Sequence, residues 1–335
     1  MTKPLAVVTG GAGFVGSHMV DLLIAHGFRV HVVDNLVGGR KSNLAQHDGD
    51  ESVRVFEVDI RSLQVGSSHA DEVFNGARYV FHFAGIGDIV PSIERPSEYM
   101  SVNVLGTVQV LECARHAGVN KLIYSASSSC FGLADVPTRE DHKIQPEYPY
   151  ALSKYQGEQA VFHWGRVYRL PVNSIRIFNA YGPRVRTSGA YGAVFGVFLR
   201  QKLAGQAFTV VGDGNQTRDF VHVRDVAGAF FAAAETDRVG EAYNVGTGRP
   251  RSINELVALL GGEVTYIPVR PGEPDCTCAD ISKITSQLGW RPKVAFPEGV
   301  AEMLENIDYW RDAPLWTPHS IAKATETWFR YLGER

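Results

Sequence analysis

Two side chains four residues apart, Tyr150 and Lys154, are the pair in this sequence whose types and spacing most suggest chemistry. Pro149 precedes them, and proline suits the first position of a helix. On a helix, positions i and i+4 share a face, which sets the phenol beside the ammonium. A free tyrosine, with a pKa of about 10, is a poor base at neutral pH. A cation at roughly 6 Å, in an effective dielectric of about 20, favours the phenolate by ~2.8 kcal/mol. The positive end of the helix adds to this, and burial opposes it. A phenol held near neutrality could serve as base and acid in one cycle. A surface helix carrying Tyr and Lys by chance fits the same five residues, so the surrounding elements have to decide.

Those elements begin with Leu5 to Thr9, a continuous apolar run of the kind found in buried parallel strands. It enters Gly10-Gly-Ala-Gly13-Phe-Val-Gly16, followed by a helical pattern that ends at His26-Gly27. Glycines at this spacing allow a tight turn, close backbone approach to a pyrophosphate, and close packing of helix on strand. The helix N-terminus then faces the phosphates. A second strand, Arg29 to Val33, ends at Asp34, an acid placed to bind an adenosine ribose and repel a 2′-phosphate. NAD is therefore expected over NADP. Strands at Val53 to Val58, Tyr79 to Phe83, Lys121 to Tyr124 and Val172 to Ile177 alternate with helical stretches, one after Pro96 and one at about 149–167. Such alternation predicts a doubly wound parallel sheet of the Rossmann type, with ligands beyond the strands' carboxyl ends. Asp34, Asp59-Ile60, Phe83-Ala84-Gly85 and the cluster Ser125, Ser127, Ser128 and Ser129 all fall there.

The pattern loosens after Phe178-Asn179. A polar loop, Arg184 to Gly192, precedes a helix at about 193–204, a strand at Phe208 to Val211 and a helix from Arg224 to Glu235. A strand at Ala242 to Val245 and a helix capped by Ser252 follow. The expected division is a dinucleotide-binding domain at 1–178 plus about 220–246. A smaller, interleaved C-terminal α/β domain for substrate takes 179–219 and 247–335. Trp316 to Leu332 reads as one amphipathic helix capped by Thr317, packed on the substrate domain or reaching a neighbouring subunit.

The 335 residues are 44% hydrophobic with a net charge of −3, and no charge block suggests a nucleic-acid or membrane surface. No leader and no membrane span are expected, which places the chain in the cytoplasm. The four cysteines, Cys113, Cys130, Cys276 and Cys278, form no disulfide or zinc framework, and no metal is expected.

Seven ordered stretches resemble the extended short-chain dehydrogenases/reductases, and within them the NAD-dependent nucleotide-sugar epimerase/dehydratase group. They are Thr9–Gly16, Asp34–Arg40, Asn103–Thr107, Tyr150–Lys154, Arg176–Pro183, Gly212–Phe220 and Arg270–Glu273. The resemblance implies that Tyr150, Lys154 and Ser127 are catalytic. Tyr150 would take the proton from the sugar 4-hydroxyl while hydride passes to the nicotinamide, Ser127 would relay it, and Lys154 would hold the ribose. The 4-keto sugar would then turn over and take hydride back on its other face. Cofactor contacts implied are Gly10, Gly13, Phe14, Val15, Gly16, Asp34, Asn35, Asp59, Ile60, Phe83, Ala84, Gly85, Asn103, Ser125 and Phe178, with Tyr150 and Lys154. Substrate contacts implied are Ser127, Ser128, Asn179, Val194, Thr209, Arg218, Arg270, Glu273 and Thr277, with the two guanidinium forks on the pyrophosphate.

Within this group the 4,6-dehydratases carry acidic residues directly after the catalytic hydroxyl. Ser128 and Ser129 stand there and cannot do that work. Cys130 is out of register for a catalytic cysteine, and the small Thr277 leaves room on the C2 side of the sugar. Asp88, if near the sugar, would be unwelcoming to a carboxylate. The expectation is a C4 epimerase of a nucleotide-activated hexose, UDP-linked, acting as a homodimer through helices near 96–117 and 150–167. An oxidoreductase or dehydratase that releases a keto sugar is the alternative, and a non-catalytic NAD-sensing protein is the rival from another class.

Overall fold

Strands β1 (Leu5–Thr9), β2 (Arg29–Asp34), β3 (Val53–Glu57), β4 (Ala77–His82), β5 (Lys121–Ser127), β6 (Val172–Ile177) and β7 (Glu241–Val245) form one sheet. Its order is β7-β6-β5-β4-β1-β2-β3, and every pairing is parallel. The computed structural model describes residues 3–187 and 193–333, so Ser188 to Gly192 of the expected polar loop lie outside the described residues. β1 and β5 are buried along their whole length, as strands covered by helices on both faces must be. Winding reverses between β1 and β4, and a crevice opens there beyond the strand ends.

One face is covered by the helices Phe14–Ala25 and Val223–Glu235. Their Met19, Val20, Leu23, Val226, Phe230 and Ala233 pack with Val8, Val32, Phe81 and Ile175 of the sheet. On the other face, Val110, Leu111 and Ala114 of the Gly106–His116 helix and Val161 of the Pro149–Tyr168 helix meet Val7, Val80 and Leu122. The Pro149–Tyr168 helix is anchored to β6 by a buried ion pair. Glu158 accepts from Arg176 Nη2 at 2.8 Å and from Ser174 Oγ at 2.7 Å. Losing either charged partner would leave the other buried and unpaired.

A second apolar core holds the remainder, with Phe195, Phe198, Phe208, Phe220, Leu256, Phe296 and Trp310 among its members. Small paired strands surround it: Asn179–Tyr181 beside Phe220–His222, and Phe208–Val211 beside Val264–Ile267, both parallel. After Phe220–His222 the chain returns to the large sheet, and β7 adds to its β6 edge.

The tail departs from the expected single helix. It forms Pro318–Ala324, opened by the Thr317/Ser320 capping box, and then Glu326–Leu332. The break falls at Thr325, whose buried hydroxyl donates back to the Ile321 carbonyl at 2.8 Å. Ile321 joins the second core, while Trp328 and Leu332 pack with Val90 against Ile89, Ile93 and Tyr148. The tail thus rests on both halves of its own chain.

Candidate active site

The turn after β1 shows why glycine is needed at two of its positions. Gly10 has φ +69°, and a Cβ there would lie 2.7 Å from the Ala84 nitrogen; one on Gly16 would strike the Gly10 carbonyl at 2.1 Å. Gly13 forms the N-cap of the Phe14–Ala25 helix and offers no side chain to it. The N–H groups at Phe14, Val15 and Gly16 therefore open toward the crevice as an anion site. Asp34 ends β2 and is 7% exposed. Its carboxylate accepts from the N–H groups of Ala12 at 3.0 Å and Leu36 at 2.8 Å. Burial raises its pKa against those bonds. Asp59, with Ile60 behind it, accepts a two-pronged contact from Arg61 and a 3.2 Å bond from Asn35, and falls to about 2 chiefly through Arg61. A cradle closed to any Cβ, an uncapped helix end and an acid at the second strand fit an adenine dinucleotide.

Phe83 and Ala84 continue β4. Phe83 packs on Phe230, and the Ala84 N–H donates to Thr9 Oγ1 at 3.2 Å. Asn103 sits on a π-helical stretch, Ser101–Leu105, between the helices Pro96–Met100 and Gly106–His116. Wide turns of this kind recur at functional sites. The Asn103 amide clamps Ile86 by two bonds of 2.8 and 3.0 Å and donates to Ser153 Oγ at 2.9 Å. It fixes the Gly85–Ile86 backbone close to the Lys154 ammonium.

A chain of hydrogen bonds that sequence reasoning missed runs beneath this backbone. Thr107 Oγ1 donates to the Asn103 carbonyl at 2.7 Å, so His82 Nε2 must donate to Thr107, at 2.9 Å. His82 Nδ1 is then the acceptor for Thr9 Oγ1, at 2.6 Å. Burial lowers the His82 pKa to about 3, which holds the ring neutral in that tautomer. A lone histidine at a strand end carries no such signal.

Ser127 closes β5, and the helix Pro149–Tyr168 sets Tyr150 beside it and Lys154 one turn further on, with Ser125 one side-chain alternation back along the strand and Phe178 in the apolar cluster of Cys130, Phe131 and Ala279. The Tyr150 phenol lies close to Ser127, whose Oγ donates to Ser129 Oγ at 3.1 Å and accepts from the Ser129 N–H at 3.2 Å. Ser128 follows in the short helix Ser128–Phe131. The expected depression of the Tyr150 pKa is not what the protein alone produces. Burial raises it, the Ser127 hydroxyl lowers it in part, and Asp88 and Cys130 push upward with burial. Lys154 lies over the Tyr124 ring, 4.6 Å from its centroid, and burial brings its own pKa down to about 8. Cys130 is buried with its thiol raised to about 12, too high for a nucleophile.

Asp88 is a non-glycine residue with φ +75°, a left-handed backbone that costs on the order of 1 kcal/mol or more and often marks a working site. Its carboxylate pairs with Arg186 at 3.4 Å and, largely through burial, has a raised pKa. Its charge is felt by Tyr150 and by Tyr99, which donates to the Gly87 carbonyl. Tyr148 stacks parallel to Tyr150 at 6.4 Å.

Across the crevice, a pocket of about 160 Å³ is lined by Asn179, Val194, Thr209, Arg218, Arg270 and Glu273, together with Gln216, Phe198 and Phe220. Arg218 Nη2 lies 3.0 Å from Glu273 Oε1, and Arg270 Nη1 lies 3.8 Å from Glu273 Oε2. Two cations thus share one carboxylate, leaving the pocket net positive. Thr209 is tied to Gln201, and Thr277 Oγ1 donates to Asn179 Oδ1 at 2.8 Å. Gln216 lines the pocket from inside the Gly212–Phe220 stretch, with no sequence signal of its own.

A dinucleotide cradle, a Tyr–Ser–Lys cluster at the end of β5 and an arginine-bearing pocket facing them define an enzyme that acts on nucleotide sugars. Residues 6–246 match the model of the NAD dependent epimerase/dehydratase family, and the chain belongs to that family, whose cofactor is NAD. It is 36% identical to a putative UDP-glucose 4-epimerase of Methanocaldococcus jannaschii, over 90% of this chain and 97% of that one. The identity is also 36% with a UDP-glucose 4-epimerase of Mycolicibacterium smegmatis, over 89% and 97%. Among solved structures, a UDP-N-acetylglucosamine 4-epimerase from Methanobrevibacter ruminantium superposes with a TM-score of 0.85 at 30% identity, covering 92% and 98%. The family likeness extends to a dTDP-glucose 4,6-dehydratase from Streptomyces venezuelae, TM-score 0.83 at 30% identity, covering 91% and 98%. Among the described residues no helix is long and apolar enough to cross a membrane, and no cluster of metal-ligating side chains occurs.

Proposed function

We propose that the protein interconverts C4 epimers of a UDP-linked hexose that carries no carboxylate. The observation that carries this reading is that Ser127, beside Tyr150, is followed by Ser128 and Ser129, two positions that offer no acid to remove water from the sugar. Bound NAD supplies a hydride acceptor that returns what it takes. Tyr150 accepts the proton of the sugar 4-hydroxyl and gives it back, with Ser127 holding that oxygen between the two steps. Lys154, cationic at neutral pH, orients the cofactor ribose and favours the phenolate when the phenol ionises. Arg218 and Arg270 hold the diphosphate while the sugar turns over, and Asn179 holds the first phosphate.

Asp88 supports the neutral-sugar part of the reading. A uronate would bring a second anion toward it, and Arg186, the cation paired with Asp88, is already engaged. Thr277, whose hydroxyl is bound to Asn179 beside the pocket, is a small side chain, which supports acceptance of an N-acetylated hexose. The test is proton NMR of the purified protein with UDP-, GDP-, CDP- and dTDP-sugars in heavy water, without added NAD. A C4 epimer free of ring deuterium is the expected product. A stable keto sugar, or deuterium at C3 or C5, would overturn the epimerase reading in favour of dehydration. Turnover only on supply of NAD would overturn it in favour of an oxidoreductase.

A further inference from the structure

Trp328, in the short tail helix beyond the family match, touches three parts of the site at once. Its indole N–H donates to the Pro271 carbonyl at 2.8 Å. Its ring lies beneath the Arg270 guanidinium, with the central carbon 5.6 Å from the ring centroid. That is within cation–π range for a cation and an indole that are both largely out of water, at 10% and 5% exposure. Its far edge packs with Leu332 and Val90, against Ile89, Ile93 and Tyr148. Ile89–Glu94 is the helix that follows Asp88, Thr327 Oγ1 lies 3.3 Å from Glu94, and Tyr148 stacks on Tyr150. One side chain therefore joins the loop bearing Arg270 and Glu273 to the backbone that sets Asp88 and the catalytic tyrosine.

We infer that Trp328 is a positioning residue for the diphosphate of the substrate, holding Arg270 at the angle from which it meets the phosphates. Arginine has many rotamers, and ordering them at the moment of binding weakens affinity. A guanidinium stacked on a fixed indole, with the next residue's carbonyl tethered to the same ring, has lost that freedom before the ligand arrives. Polar contact with the substrate is left to Arg270; Trp328 acts through it. The inference rests on the proposed role of Arg270.

The experiment compares Trp328→Leu, Trp328→Phe and Arg270→Met in the full-length protein by calorimetry. The ligand is whichever of UDP, dTDP, GDP or CDP the wild type binds most tightly, with the matching nucleoside monophosphate measured alongside. Trp328→Leu is expected to weaken the diphosphate about tenfold and the monophosphate less, and to raise KM with kcat changed under threefold. Trp328→Phe keeps a stacking face and loses the N–H, so it should fall between Leu and wild type. Diphosphate affinity at the wild-type level in Trp328→Leu, or equal weakening of both ligands, would overturn the inference. Should the Leu variant not fold, Trp328→Phe decides on the same comparison. Wild-type diphosphate affinity in Arg270→Met would instead sink the role given to Arg270. A weak Arg270→Met beside an unaffected Trp328→Leu would sink only the positioning role.

Discussion

At the scale of single residues, the site sets a buried phenol against an environment that keeps its proton on. Replacing Tyr150 by Phe removes the proton carrier and leaves the glycine turn and Asp34 untouched. Turnover should fall on the order of 10³-fold, typical of losing a positioned acid–base group, with NAD content of the purified protein unchanged. Asp88→Asn removes a negative charge that raises the Tyr150 pKa, so the phenolate forms at lower pH. The ascending limb of the kcat/KM profile should shift to lower pH; a shift upward would exclude Asp88 as its neighbour. The same variant should accept UDP-glucuronate about tenfold better than wild type, since like charges at roughly 5 Å repel by a few kcal/mol before Arg186 screens them. The placement of Tyr150, Lys154, the glycines and Asp34 was legible because it depends on local spacing. Asp88 was legible only as a suspicion: its left-handed backbone and its partner 98 positions away are not written in local sequence. The upward push of burial on Tyr150 was not legible for a similar reason, since burial depends on what folds over the helix.

At the scale of elements, the long strands and helices fell where apolar runs and caps place them. The Ser252 capping box and the Val172–Ile177 strand are examples. Two things escaped. The π-helical stretch at Ser101–Leu105 has no distinctive composition, and the tail divides at Thr325 because two different cores pull on its halves. His82 ties β1, β4 and the π-helical stretch together, and it must stay neutral to do so. Its folded pKa of about 3 lies below the unfolded value of 6.5, so the unfolded chain binds the proton more readily. The stability this contributes is complete above pH 6.5 and disappears as pH falls toward 3. His18, lowered to about 4, and His222, lowered to about 3, act in the same sense. Thermal melting should therefore drop steadily between pH 6.5 and 4. His82→Gln should be less stable than wild type at pH 7.5, with a shallower decline on acidification; an equally steep decline would remove His82 as a cause.

For the whole molecule, the second core and the tail make the site a property of both halves. Thr327 reaches Glu94, Arg186 reaches Asp88, and Trp328 meets Arg270. The helices that carry the π-helical stretch and Tyr150 turn Leu105 (62% exposed), Leu152, Val167 and Tyr168 to solvent. A homodimer paired there, as we propose, would cover them. Light scattering should give twice the chain mass for wild type and a monomer for Leu105→Glu with Leu152→Glu; a monomeric wild type would refute the pairing. The interleaving of the halves also has a consequence for how the protein is made. β6 is flanked on one side by β5, and its other edge is covered by β7, which the chain reaches only at Glu241, after the segment that builds part of the second core. While the ribosome is still adding those residues, β6 offers an open row of backbone donors and acceptors to any extended segment nearby. Arrest of synthesis between residues 180 and 240 should thus yield nascent chains that aggregate or engage chaperones, and release past residue 245 should end that vulnerability.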